Sequence, residues 1–386
     1  MRYRRFWLRA LLLLPVLLMT VISCSDDEEV DPVINIYVYA PDRASVTRSE
    51  VVPTEEEGKI HNLQIWVFRS SDPTKKVASL TLTTEAQLQG LNENKSAAFS
   101  LKLSDRSFAD RPEPVDIYVM ANVLDNNGTN YLEDINNGAE IEEAVFNGGH
   151  FFSFKNGPTY QAATSVPDGK GIPLSGVARG KSVIDKNNVI HVNDANLRLV
   201  RTVSKIRFVF SSLEGIDPIY INQITLNKNM LYRKERLFLD SDHPTYWVEE
   251  PLDQTVEVRL AKGDKGYPVV QNADPTVYAY NSKYSDKEYE ILVNDGVSER
   301  MLTEFGPVYL PESDKRLSGT ISFWIKEPSG EPLTASFSMA SGNFHRNQTW
   351  LVYAYYIGSS KLVVNSVQVV PWERVDDLPE HVIPNW

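Results

Sequence analysis

The stretch Val33-Ile34-Asn35-Ile36-Tyr37-Val38-Tyr39-Ala40 alternates with a period of two. In an extended chain successive side chains point to opposite faces. One face therefore carries Ile34, Ile36, Val38 and Ala40, and the other Val33, Asn35, Tyr37 and Tyr39. Runs rich in β-branched and aromatic residues recur at 60–68, 115–123, 203–210, 219–226, 256–260, 288–293, 320–325, 350–357 and 361–370. Turn signals lie between them, among them Asp125-Asn126-Asn127-Gly128, Asn147-Gly148-Gly149 and Asn294-Asp295-Gly296. No long segment has helical periodicity, no repeat is evident, and one short helix is expected over 138–146. Many short strands punctuated in this way predict an all-β chain built as two antiparallel β-sandwich domains. Polar stretches at 185–188 and 193–196 place the boundary near 195–205, giving domains over 49–198 and 199–386, each long enough for its own core.

Ahead of the first strand the chain reads differently. Residues 1–23 carry Arg2, Arg4, Arg5 and Arg9, no acid, and an apolar run from Ala10 to Ile22 interrupted by Pro15. That run is too short for a convincing membrane span and reads as a signal peptide. Val21, Ile22 and Ser23 lead into Cys24, the single cysteine of the chain. This is similar to a bacterial lipobox, cut before a cysteine whose thiol takes a diacylglycerol, and two or more acyl chains anchor stably. Ser25-Asp26-Asp27-Glu28-Glu29 follows, a solvated tether that also resembles the acidic export signal of Bacteroidetes surface lipoproteins. The expected location is the cell outer membrane, facing outward, with residues 24–48 forming a lipidated pro-segment that includes the first strand.

The whole chain has 51 acids against 39 bases, a net charge of −12, and without residues 1–23 the charge becomes −16. Such a surface repels phosphate, which argues against nucleic acid as a partner. One cysteine permits neither an internal disulfide nor a Cys-based zinc site, and the six histidines have no ligand spacing. No catalytic residue, metal ligand or cofactor is expected, and no enzymatic activity. Gly176-Val177-Ala178-Arg179-Gly180-Lys181-Ser182 is one residue short of a phosphate-binding loop and sits among strand and turn signals. The acid pairs Glu142-Glu143 and Asp376-Asp377 read as solvated faces, and most of the seven Trp and eighteen Tyr as core or cross-strand partners.

Several stretches, taken in order, resemble the fimbrillin family, subunits of the Bacteroidales type V pilus. The first strand is followed by Asp42-Arg43-Ala44-Ser45-Val46-Thr47-Arg48, then Glu55-Glu56-Glu57-Gly58 and Lys59-Ile60-His61-Asn62-Leu63. Tyr118-Val119-Met120-Ala121-Asn122 comes next, then Ile172-Pro173-Leu174-Ser175-Gly176 and Leu199-Val200-Arg201-Thr202-Val203-Ser204-Lys205-Ile206. Tyr309-Leu310-Pro311-Glu312, Phe344-His345-Arg346-Asn347 and Pro371-Trp372 complete the series.

The resemblance implies two transthyretin-like sandwiches delivered to the surface as a lipoprotein. It further implies that an Arg-specific, trypsin-like protease cuts the loop after the first strand. Arg48 with Ser49 is the first choice of bond, and Arg43 with Ala44 the second. The strand bearing Ile34, Ile36 and Val38 then leaves, and a neighbour's C-terminal segment fills the groove. Strand 361–370 and a tail with Val375, Leu378, Val382, Ile383 and Trp386 are the candidate donor; equally, they finish their own domain. The implied partners are other pilus subunits (further copies, anchor and tip proteins), the protease and, before maturation, the outer membrane. Two other readings remain open on the sequence: an anchor subunit that keeps its lipid, and a glycan-binding surface lipoprotein.

Overall fold

The computed structural model describes residues 31–41, 55–123 and, with internal breaks, 138–371. Among these residues the regular structure is nearly all β, arranged as sandwiches, as the alternation predicts. Each stretch singled out above contributes a strand. In the first sandwich, one sheet runs Val183–Lys186, Val189–Val192, Val33–Tyr39, Leu197–Arg198, with Ser96–Lys102 also paired to Val33–Tyr39. The facing sheet runs Val200–Arg201, Leu174–Lys181, Val115–Ala121, Leu63–Arg69, Asp72–Leu82. Ile34, Ile36, Val38, Ile65, Val67 and Val119, all fully buried, belong to the core between them.

The second sandwich centres on Val203–Leu213, flanked by Glu299–Pro311 and Gln348–Tyr356, with Leu362–Pro371 at the sheet edge. Its facing sheet includes Leu333–Ser338, Ser318–Ile325, Ile219–Leu226 and Val256–Val258. That sheet also takes in Tyr160–Ala162 and Phe152–Phe154, and Val145–Asn147 pairs with Tyr232–Arg236. Strands from 145–162 thus lie with residues that follow them by some ninety positions.

Three sequence expectations need amendment. The sheets are not wholly antiparallel: Val33–Tyr39 runs parallel to both Val189–Val192 and Leu197–Arg198, and Val203–Leu213 runs parallel to Gln348–Tyr356. Alternation assigns faces, but carries no information on a neighbour's direction. The expected helix over 138–146 does not extend to its end, because Val145 and Phe146 lie in a strand; most of the rest is outside the described residues. A helix does form at Glu85–Asn94, where Gln87 Oε1 accepts from the Thr84 N–H at 3.3 Å, one half of a capping box. Only Leu88 and Leu91 of that helix are buried, too few to write a stripe in the sequence.

A third apolar cluster joins the sandwiches. Trp66, Phe68, Tyr118 and Met120 point away from the first core and pack with Val203, Leu237, Phe238 and Tyr309. Tyr118 meets Phe238 edge-on, with ring centroids 5.2 Å apart. Ser175 Oγ donates to the Leu237 carbonyl at 2.8 Å and Arg179 to the Leu239 carbonyl at 2.7 Å. Strand Leu63–Arg69 is therefore buried on both faces, which explains its apolar run Ile65-Trp66-Val67-Phe68. Phe238→Ala removes the ring at the centre of this joint and leaves both sandwich cores complete; urea denaturation should register a loss of about 3–5 kcal/mol.

Candidate functional site

The first strand, Val33–Tyr39, is set into the middle of its sheet. All seven of its residues pair with Ser96–Lys102, from Val33 opposite Lys102 to Tyr39 opposite Ser96. On the other edge Val33, Ile34 and Asn35 pair with Val189–Val192, and Val38 and Tyr39 with Leu197–Arg198. The ends are tied as well. The Ala40 N–H donates to Lys95 O at 2.9 Å, the Leu103 N–H to Pro32 O at 3.1 Å, and the Leu199 N–H to Tyr39 O at 2.8 Å. Ahead of the strand, Asp31 holds Lys102 and Arg106 in ion pairs. Hydrogen bonding from Lys102, helped by Arg106, keeps its carboxyl below the usual range.

The two faces of the strand separate as its alternation requires. Ile34, Ile36 and Val38 are fully buried, whereas Tyr37 is 54% exposed. Three buried aliphatic side chains are worth roughly 5–8 kcal/mol gross. Taking this strand away opens an apolar trough and bares the Ser96–Lys102 edge, both of which another extended chain can fill.

The remaining sequence-predicted positions are not brought to this site by the described residues. Cys24, Arg43, Ala44, Arg48, Ser49 and the tail residues Val375, Leu378, Val382, Ile383 and Trp386 lie outside them. Strand Leu362–Pro371 pairs along its length with Gln348–Tyr356 of its own chain. Gly176 lies in strand Leu174–Lys181, where an added Cβ would stand 2.6 Å from Arg198 O, and a strand follows the motif, not a helix. Among the described residues no group of three His, Cys, Asp or Glu side chains could hold a metal ion.

A polar junction beside the joint was not apparent in the sequence as a unit, although its members were. Asn122, at φ 59°, accepts from the His61 N–H at 2.8 Å and donates to Lys59 O and Ile172 O, each at 2.9 Å. Gly171 (φ +67°) makes room for this, since a Cβ there would lie 2.3 Å from Asn122 Nδ2. Glu57, 3% exposed, accepts from Tyr309 OH at 2.6 Å and Lys205 Nζ at 3.2 Å, and its carbonyl accepts from Arg201 Nε at 3.4 Å. Glu312 accepts from Arg346 Nε at 2.9 Å and faces His345 Nδ1 at 2.9 Å. Each short stretch that carried the fimbrillin resemblance between Glu57 and Arg346 places a residue in this junction.

Glu235 is paired less closely. It is 1% exposed, and Arg346 Nη2 stands 3.7 Å from its carboxylate. Burial pushes its carboxyl up to about 7; Arg346 opposes the shift and Glu312 adds to it. Between the ordinary carboxylate range and pH 7 the folded chain holds a proton that the unfolded chain has released, so stability falls as pH rises through that window. Relative to wild type, Glu235→Gln should be near neutral at pH 5 and more stable by about 3 kcal/mol at pH 8, read from urea curves at both values. Ile36→Ala, in the trough of the first strand, should cost about 2–5 kcal/mol by the same measurement.

No family model matches the sequence, and no curated protein matches it. Solved structures do. A candidate cell adhesion protein from Parabacteroides distasonis superposes with a TM-score of 0.56 at 14% identity, over 89% of this chain and 98% of that one. A candidate cell adhesion protein from Bacteroides eggerthii gives 0.50 at 12% identity, over 89% and 96%. The C-terminally truncated tip fimbrial protein Mfa3 from Porphyromonas gingivalis gives 0.49 at 15% identity, over 88% and 100%. The chain has the fold of the first two proteins, an all-β sandwich architecture of the kind its resemblance to the fimbrillins implies.

Proposed function

We propose that this chain is a structural subunit of a cell-surface pilus that serves adhesion. It is exported as a lipoprotein through Cys24, matured by an Arg-specific protease after Arg48 or Arg43, and polymerised by strand exchange. The mature subunit then comprises two domains, 49–198 and 199–386, with the strands of 145–162 paired to residues of the second, and the lipidated pro-segment 24–48 is the part removed. One observation carries this reading: the most N-terminal described strand is a central member of its sheet and buries Ile34, Ile36 and Val38 completely. A strand so placed contributes strongly to the fold, yet a single cut between 42 and 54 severs it from the rest of the chain. The vacated trough takes an extended segment drawn from a neighbour's C-terminal region, with Val375, Leu378, Val382, Ile383 and Trp386 as the candidate apolar contacts. Replacement restores both the backbone pairing and the apolar burial, and the cut makes the exchange one-way. The fold it shares with candidate cell adhesion proteins supports a surface role.

The test is N-terminal sequencing and intact mass of protein recovered from the cell surface, before and after a trypsin-like protease. The expected result is a lipid-bearing Cys24 before treatment and a start at Ser49 or Ala44 after it, with concentration-dependent ladders on gels. Deleting residues 375–386 should abolish the ladders and leave the cut unchanged. A chain that keeps its lipidated N-terminus under protease, without ladders, overturns the polymerising subunit.

A further inference from the structure

We infer that Glu57 sets the limit of N-terminal proteolysis: it locks segment 55–62 into the junction and keeps the Lys59–Ile60 bond out of a protease's reach. This rests on the proposed function only in that an Arg- or Lys-specific protease meets the chain.

Side-chain chemistry does not protect this bond. Lys59 is basic, its side chain is 35% exposed, and the next residue is not proline. Protection comes from the backbone. The Lys59 N–H donates to Glu56 O at 3.3 Å, and Lys59 O accepts from Asn122 Nδ2 at 2.9 Å. The Ile60 N–H donates to Asn92 Oδ1 at 2.8 Å, and Ile60 O accepts from Asn92 Nδ2 at 3.0 Å. A protease needs an extended substrate, so the segment has to peel away from its N-terminal side before cleavage. On that side Glu57 is the first firm attachment within segment 55–62, with both carboxylate oxygens engaged by Tyr309 and Lys205. The neighbouring pairs of Glu56 with Lys59, at 3.9 Å, and with His61, at 3.3 Å, involve a partly exposed carboxylate and hold less firmly. Arg43 and Arg48 precede this attachment and Lys59 follows it. Glu57 thereby divides the N-terminus into a removable part and a retained part, and it holds the retained end at the junction.

The experiment uses the full chain and trypsin, following by mass spectrometry the appearance of chains that start at Ile60. Cleavage from a locally opened state tracks the population of that state. Glu57→Gln removes the charged partner that fixes this segment to Lys205 and should raise the rate at Lys59 about tenfold or more. Tyr309→Phe removes a single hydroxyl and should raise it about threefold, with cooperative melting retained. Wild-type rates in both variants overturn the inference, as does a wild-type chain cut at Lys59 as readily as between 42 and 54. If Glu57→Gln no longer melts cooperatively, Tyr309→Phe decides alone. A wild-type chain with no cut between 42 and 54 overturns the maturation scheme instead and leaves the Lys59 comparison readable.

Discussion

The junction between the sandwiches takes Glu57, Glu235 and Glu312 out of water, and the surrounding chain is organised to answer their charge. A desolvated carboxylate is tolerable only when paired and hydrogen-bonded. Its partners here come from remote parts of the sequence: Lys205 and Tyr309 for Glu57, His345 and Arg346 for Glu312. The apolar cluster around Trp66, Tyr118 and Phe238 supplies the contact area, but an apolar surface tolerates small slips. The ion pairs do not, because displacement by one residue would leave a buried charge facing nothing.

This division of labour explains what could be read in advance. The first strand was legible because a half-buried strand writes its two faces directly into the sequence, and Ile34, Ile36 and Val38 occupy the face assigned to them. The strand Leu63–Arg69 was legible as a run rich in apolar residues, though not its burial on both faces or what covers the second. The junction was opaque for a different reason. Glu57 sits in an acidic triplet that looks like solvated surface, and nothing local tells it apart from Glu55 or Glu56. Its role depends on a lysine and a tyrosine that follow it by about 150 and 250 positions. Strand direction was opaque too, since the parallel neighbours of the first strand arrive only after long excursions of the chain.

The first strand and the junction are adjacent in sequence and opposite in character. The strand is held by pairing along both edges and by aliphatic burial, interactions that any suitably alternating segment can reproduce. Segment 55–62 is held by individual polar contacts to Asn92, Asn122, Lys205 and Tyr309. Those contacts suit one sequence only. The N-terminal region thus places an interchangeable element directly before one that cannot be exchanged.

The parallel neighbours of the first strand also impose an order in time. Residues 33–39 leave the ribosome early, but they cannot be flanked on both sides until residue 198 exists. Closing contacts over so long an interval is slow, because the entropy of the intervening chain is lost before the pairing can compensate it. The first described strand thus gains its full second flank only once nearly the whole of the first sandwich has been synthesised.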